Sequence, residues 1–264
     1  MFKITSCMAP NADETCGRIA DYLSDALEMS ICFVGDMPWQ QREKLFDRGE
    51  IDVCWICSLP YVSKASSGNL EICAAPVMCG ARYSNQPVYF CDVIVRRESH
   101  FQSFSELRGA SWAYNEPRSH SGYNVVRHHL AKAGTTEGFF GNVVESGAHQ
   151  TSLEMVLDGR VDASAIDSTV LEAELRARPE LGLRMRRIEI LGPSPMPPWI
   201  VRANVSSRIR TQLGHALRSM HSHSTGASVL HGWGISHFAV VDDRHYDVVR
   251  TMARESSHVR WEIR

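Results

Sequence analysis

The 264 residues carry a formal net charge of −2, with 44% hydrophobic and 22% charged side chains. That is the balance of a globular protein, and it excludes a disordered chain or a general electrostatic pull toward nucleic acid. No run of about eighteen apolar residues occurs, so no segment reads as inserting into a membrane.

The chain opens with a strand-like Phe2–Ser6, then helical periodicity from about Asn11 to Met29, with Ile19, Tyr22, Leu23, Ala26 and Leu27 spaced at three and four. Strand-length runs follow at Ile31–Val34 and Ile51–Ile56, with a short helix from about Trp39 to Phe46 between them. Further strands are expected at Leu70–Met78, Tyr89–Val95 and Ser111–Tyr114. Gly122–Ala133 reads as a helix, Asn142–Glu145 as a strand, and His149–Leu157 as a helix closed by Asp158-Gly159. Val161–Ile166 is an expected strand, and Ser168–Ala177 a helix stopped by Pro179. A Pro-rich crossing, Gly192 to Pro198, precedes Trp199–Val201 and helices from about Ser206 to Met220 and Arg244 to Glu255.

This alternation predicts an α/β fold with mixed, mostly parallel sheets. The simplest division is a discontinuous lobe of residues 1–94 and 199–264 around a central lobe of 95–198. Extended crossings near Asp92–Arg97 and Pro198–Arg202 would form a two-stranded hinge.

Eight cysteines (Cys7, Cys16, Cys32, Cys54, Cys57, Cys73, Cys79 and Cys91) sit at irregular spacing, most within apolar segments. They read as buried free thiols rather than a disulfide framework. The N-terminal MFKITSCMAPNADETCG lacks the apolar core of a signal peptide. Together these give a cytoplasmic expectation, with the periplasm as the alternative if a leader has been trimmed. Cys54-Trp55-Ile56-Cys57 has C-x-x-C spacing, yet it lies in an apolar run rather than at a helix start, which favours core packing. His215, His221, His223, His231 and His237 lack an accompanying Cys or acidic cluster, so no metal is expected. His221–His223 reads as a loop, Gly232-Trp233-Gly234 as a turn, and the basic run from Arg176 to Arg187 as a solvated helix end. No Walker loop, nucleophile elbow or dinucleotide fingerprint appears, and no cofactor is expected.

The stretch richest in chemistry is Tyr114-Asn115-Glu116-Pro117-Arg118-Ser119-His120-Ser121-Gly122-Tyr123, running strand, loop, helix. A serine before a helix caps its free amides. Two hydroxyls, a glycine and those amides also make an anion cradle at the positive end of a helix. Residues alone leave both readings open.

The order of this turn, Phe139–His149 and Leu153–Asp167 resembles the phosphate/phosphite/phosphonate substrate-binding proteins of ABC transporters. Asp52–Tyr61, Tyr89–Val95, Phe104–Gly109 and Tyr246–Val249 fit the same pattern. The resemblance implies a two-lobed type II periplasmic-binding-protein fold that binds a small anionic ligand, with an ABC permease as partner. It further implies Ser119, His120, Ser121 and Gly122 at the phosphoryl oxygens, Tyr61, Tyr89 and His149 lining the site, and Asp167 nearby. Aminophosphonate binders of the family carry acidic residues where this chain has Ser168-Thr169 and the Pro-rich crossing, so the expected ligand is phosphate, phosphite, a simple phosphonate or a phosphate ester. The same fold also serves enzymes of thiamine-pyrimidine and menaquinone biosynthesis. Under that alternative His149, Asp167 and either Cys57 or Cys91 are the acid/base or nucleophile candidates. A ligand-sensing module is a third reading.

Overall fold

Short apolar runs separated by amphipathic helical segments have to stack as sheet and helix layers, because neither element can hide its apolar face alone. The computed structural model describes residues 1–261. In chain order the elements are β1 (Phe2–Ser6), α1 (Asp13–Leu27), β2 (Ile31–Val34), α2 (Trp39–Arg48), β3 (Val53–Trp55), α3 (Ser58–Ala65), β4 (Leu70–Met78), β5 (Val88–Arg96), β6 (Ser111–Tyr114), α4 (Val125–Lys132), β7 (Asn142–Glu145), α5 (His149–Leu157) and β8 (Ala163–Asp167). They continue with α6 (Ser168–Ala177), α7 (Leu181–Arg184), β9 (Met185–Pro195), β10 (Trp199–Arg202), α8 (Ser207–Ser219), α9 (Ser224–Trp233), β11 (Ile235–Ala239) and α10 (Asp247–Glu255).

The chain forms two units. The first comprises Met1–Val88 and Pro195–Asp247, and the second Tyr89–Ser194 and Val248 onward. The sheet of the first unit runs β11-β4-β10-β3-β1-β2. Its β1 pairs in parallel with β2 and β3, while β10 and β11 run antiparallel to their neighbours. Three tryptophans anchor this unit. Trp55 and Trp199 face each other in register, with rings stacked 5.9 Å apart, and Trp233 meets Trp55 edge-on at 5.2 Å. The Trp55 indole N–H donates to the Pro197 carbonyl at 3.0 Å, so burial leaves it satisfied.

The sheet of the second unit runs β7-β6-β8-β5-β9. Strand alternation gives it two cores. Val93, Val95, Trp112, Ala163 and Ala165 join one face with Phe104, Phe140 and Leu130; Ile94, Ala113 and Ile166 join the other with Leu153, Val156 and Leu171. The chain after Val248 also packs here, since Val259 and Trp261 belong to the first of these cores.

Several local expectations change. Ser58–Ala65, for which no element was expected, is helical, and Cys57 is its N-cap residue, so the C-x-x-C pair does end at a helix start. Gly232 and Trp233 close a helix, and it is Gly234, at φ 81°, that ends it. Met220–Ser222 forms a 3-10 turn where a loop was expected. The Pro-rich crossing supplies the end of β9, which tolerates Pro193 and Pro195 because it is an edge strand.

Replacing Trp55 with alanine should cost about 3–5 kcal/mol, through lost burial and the void left between Trp199 and Trp233. The shift of the denaturant midpoint reports this, and a change below about 1 kcal/mol would show that the cluster does not support the unit.

Candidate functional site

The loop after β6 returns to helix through a widened turn. Asn124 N–H reaches back to the Ser119 carbonyl at 3.0 Å, and Val125 N–H bonds the His120 carbonyl, both five residues apart. Such i→i+5 turns open a helix by one residue and recur at functional sites. Ser119 caps it, its Oγ accepting from Gly122 N–H at 3.1 Å. Ser119, His120, Ser121 and Gly122 are all buried.

His120 is fully buried and both its ring nitrogens are engaged. Nε2 meets Ser194 Oγ at 3.0 Å, and Nδ1 meets the Asn124 side-chain amide at 3.1 Å. Burial, with a small contribution from His128, pulls its pKa from 6.5 down to about 3. Its ring also lies 6.3 Å from that of Tyr89.

His149 begins α5, and its Nε2 lies 3.0 Å from Ser121 Oγ. Burial lowers its pKa to about 4, opposed by the Ala165 carbonyl, which sits near enough to favour the charged ring without closing a hydrogen bond to Nδ1. Both histidines are therefore neutral at pH 7, and neither adds a positive charge to the helix start. Gly122 cannot be replaced cheaply here. A Cβ would overlap Asn115 Oδ1 and come within 3.1 Å of His149 Cε1.

Asp167 ends β8 and caps α6, accepting from Thr169 N–H at 2.8 Å and Thr169 Oγ1–H at 2.7 Å. Burial raises its pKa to about 6, opposed by the Thr169 hydrogen bonds and reinforced by Asp92. Cys91 stands opposite Asp167 in the β5–β8 pairing and donates its thiol to the Ser121 carbonyl at 2.8 Å. Burial, reinforced by Asp92 and Asp167, pushes that thiol well above its ordinary pKa, so it is held as the neutral S–H that bonds the turn. Tyr89, Ser119, His120, Ser121, Gly122, His149 and Asp167 thus fall together in the second unit. Tyr61 belongs to the first, where its hydroxyl donates to Asp243 at 2.7 Å and its ring meets Tyr246 at 4.7 Å.

Three partners escaped sequence reading: Asn115, Asn124 and Ser194. Asn115 and Asn124 flank the serine motif and look like ordinary loop and helix residues. Ser194 lies far off in the Pro-rich segment, and only the β5–β9 pairing brings it back.

Comparison with known proteins decides the lineage. Residues 4–246 match the family described as ABC transporter, phosphonate, periplasmic substrate-binding protein. The chain belongs to this family. Among solved structures, the family's fold recurs in a binding protein component of an ABC phosphonate transporter from Pseudomonas aeruginosa, at TM-score 0.84 and 16% identity, covering 97% of this chain and 86% of that one. PhnD1 from Prochlorococcus marinus, in complex with methylphosphonate, matches at TM-score 0.84 and 16% identity over 98% of each chain. A Xanthomonas citri protein bound to ATP matches at TM-score 0.73 and 15% identity over 97% of this chain and 96% of that one. The fold is therefore that of the two-lobed periplasmic-binding proteins. No helix among the described residues is long and apolar enough to cross a membrane.

Two outcomes follow from this geometry. Gly122→Ala should lower stability by about 1–3 kcal/mol through overpacking, and adding Asn115→Ala should restore most of it, as read in a double-mutant cycle of denaturant midpoints. The second outcome concerns acid. Both rings are neutral when folded and protonate near 6.5 when released, so unfolding takes up protons and stability falls as pH drops from about 6.5 toward 4. Asp167 acts oppositely: its raised folded pKa stabilises fully below about 4, and that contribution is lost as pH rises through about 6. Two imidazoles outweigh one carboxyl, so the net effect of acid is destabilising. His149→Gln should remove about one proton from the uptake on unfolding at pH 5, or about 1.4 kcal/mol per pH unit of slope. An unchanged slope would contradict the neutral, buried assignment.

Proposed function

We propose that this protein binds a small oxyanion of the phosphonate or phosphate class at the Ser119–Gly122 turn, as the substrate-binding component that supplies an ABC permease. The observation that carries this reading is the buried, widened helix start with its paired Ser121–His149 contact. First-turn N–H groups lack intrahelical acceptors and point along the positive end of the helix. Hydrogen bonds donated from this turn to an oxyanion would be charge-assisted, about twice as strong as neutral ones. The methylphosphonate bound by PhnD1 and the ATP bound by the Xanthomonas citri protein support a phosphoryl-type group on this fold.

The side chains where an aminophosphonate binder would pair an ammonium are committed elsewhere. Ser168 Oγ accepts from Phe90 N–H at 3.1 Å, and Thr169 holds Asp167. A simple phosphonate, phosphite, phosphate or phosphate ester is therefore favoured over 2-aminoethylphosphonate. The eight cysteines are unpaired thiols, the state a reducing compartment maintains, whereas the family is described as periplasmic. Thiol counting on protein taken from each cell fraction assigns residence.

Calorimetric titration with methylphosphonate, phosphite, phosphate, ATP and 2-aminoethylphosphonate tests the reading. At least one of the first four should bind below about millimolar, more tightly than the aminophosphonate, and Ser121→Ala should weaken it by about 1–3 kcal/mol. No binding by any of them would overturn it.

A further inference from the structure

The His120 ring is spent on contacts inside the second unit, and those contacts reach every stretch of chain from which that unit is made. Nε2 touches Ser194, the last residue of the Tyr89–Ser194 stretch, and the ring lies beside Tyr89, its first residue. Nδ1 touches Asn124, whose Oδ1 accepts from Ser256 Oγ at 3.4 Å, in the stretch that begins at Val248. The orientation of the Asn124 amide sets the proton. With the Asn124 oxygen turned toward Ser256, its NH₂ group faces Nδ1, so Nδ1 accepts and the ring proton sits on Nε2, donating to Ser194 Oγ.

We propose that His120 is a positioning residue for the oxyanion turn: its Nε2–H tautomer, held between Ser194 and Asn124, fixes the widened Ser119–Asn124 turn to the ends of the unit, while ligand contact falls to the backbone and hydroxyls beside it. This rests on the oxyanion reading of the same turn. The assignment inverts what a histidine at an anion site ordinarily suggests, a cation in direct contact with ligand. An imidazole suits the task because it places a donor and an acceptor on opposite edges of a rigid ring. A deleted ring would leave Asn124 and Ser194 with buried, unanswered groups and the turn free to relax into an ordinary α-helical start. The titratable groups facing it are His128 on α4, paired with Glu255 on α10 at 3.0 Å, and Tyr89 on β5; Ser194 and Ser256 complete the surroundings.

Nitrogen-resolved NMR of the ligand-free protein supplies the first test. His120 should remain a neutral Nε2–H tautomer from pH 5 to 8, and an ionisation near about 6.5, or a proton on Nδ1, would overturn the proposal. In Ser194→Ala, a small change that removes one partner, the backbone amide signals of Ser121, Gly122 and Tyr123 should shift; unmoved signals would also overturn it. Calorimetry with methylphosphonate gives the third readout. Ser194→Ala and His120→Ala should each weaken binding by about tenfold, as expected for a broken buried hydrogen bond. His120→Gln, whose amide can reach Ser194, should recover part of that loss. Affinity, corrected for ionisation of the ligand, should be flat from pH 6 to 8; a decline with rising pH would mark a cationic contact and refute positioning. Failure of wild-type protein to bind any phosphoryl probe would instead remove the oxyanion reading, and the two ligand-free NMR measurements judge the positioning role on their own.

Discussion

A helix that begins inside a protein must find acceptors for its first N–H groups, because water cannot reach them. At Ser119–Asn124 that requirement is met unusually. One amide is answered by the Ser119 hydroxyl and two by carbonyls five residues back, which widens the turn. Three elements of the second unit hold this opening. Cys91 grips it from β5, His149 from α5 and Ser194 from β9, and each does so with an uncharged group. Under the proposed oxyanion reading, an anion at this turn would meet dipoles already aimed and partners that do not have to shed a proton first.

The alternation of elements was legible because apolar runs of four to nine residues need few alternatives to be weighed. Trp112, Val93, Val95 and Ile166 announce strands by composition, and the helix of His149–Leu157 by spacing. What failed was short or interrupted. Ser58–Ala65 was hidden by Pro60, which the first turn of a helix accepts without loss. β9 was hidden by the basic run at its start, read as a helix end, and by the prolines at its finish, which an edge position permits. Ser224–Trp233 was obscured by two internal glycines and a serine-rich start.

The candidate site was legible to a similar depth. The Ser-x-Ser-Gly turn and His149 stood out because their order along the chain matched a known pattern. The roles of individual atoms were not readable, since they depend on residues distant in sequence. Ser194 and Ser256 determine what the His120 ring can do, 74 residues away in one case and through Asn124, 132 residues from Ser256, in the other. Asp167 shows the same limit, for its carboxyl near the site is occupied in capping the next helix.

The fit of Gly122 against Asn115 has a consequence for how this sequence can vary. A side chain at 122 and the amide at 115 compete for one volume. Substitution at either position therefore changes which residues the other can accept, and a path from glycine to alanine at 122 runs first through a smaller residue at 115. Two positions seven apart, one a loop residue and one inside a helical turn, are thereby bound into a single heritable choice.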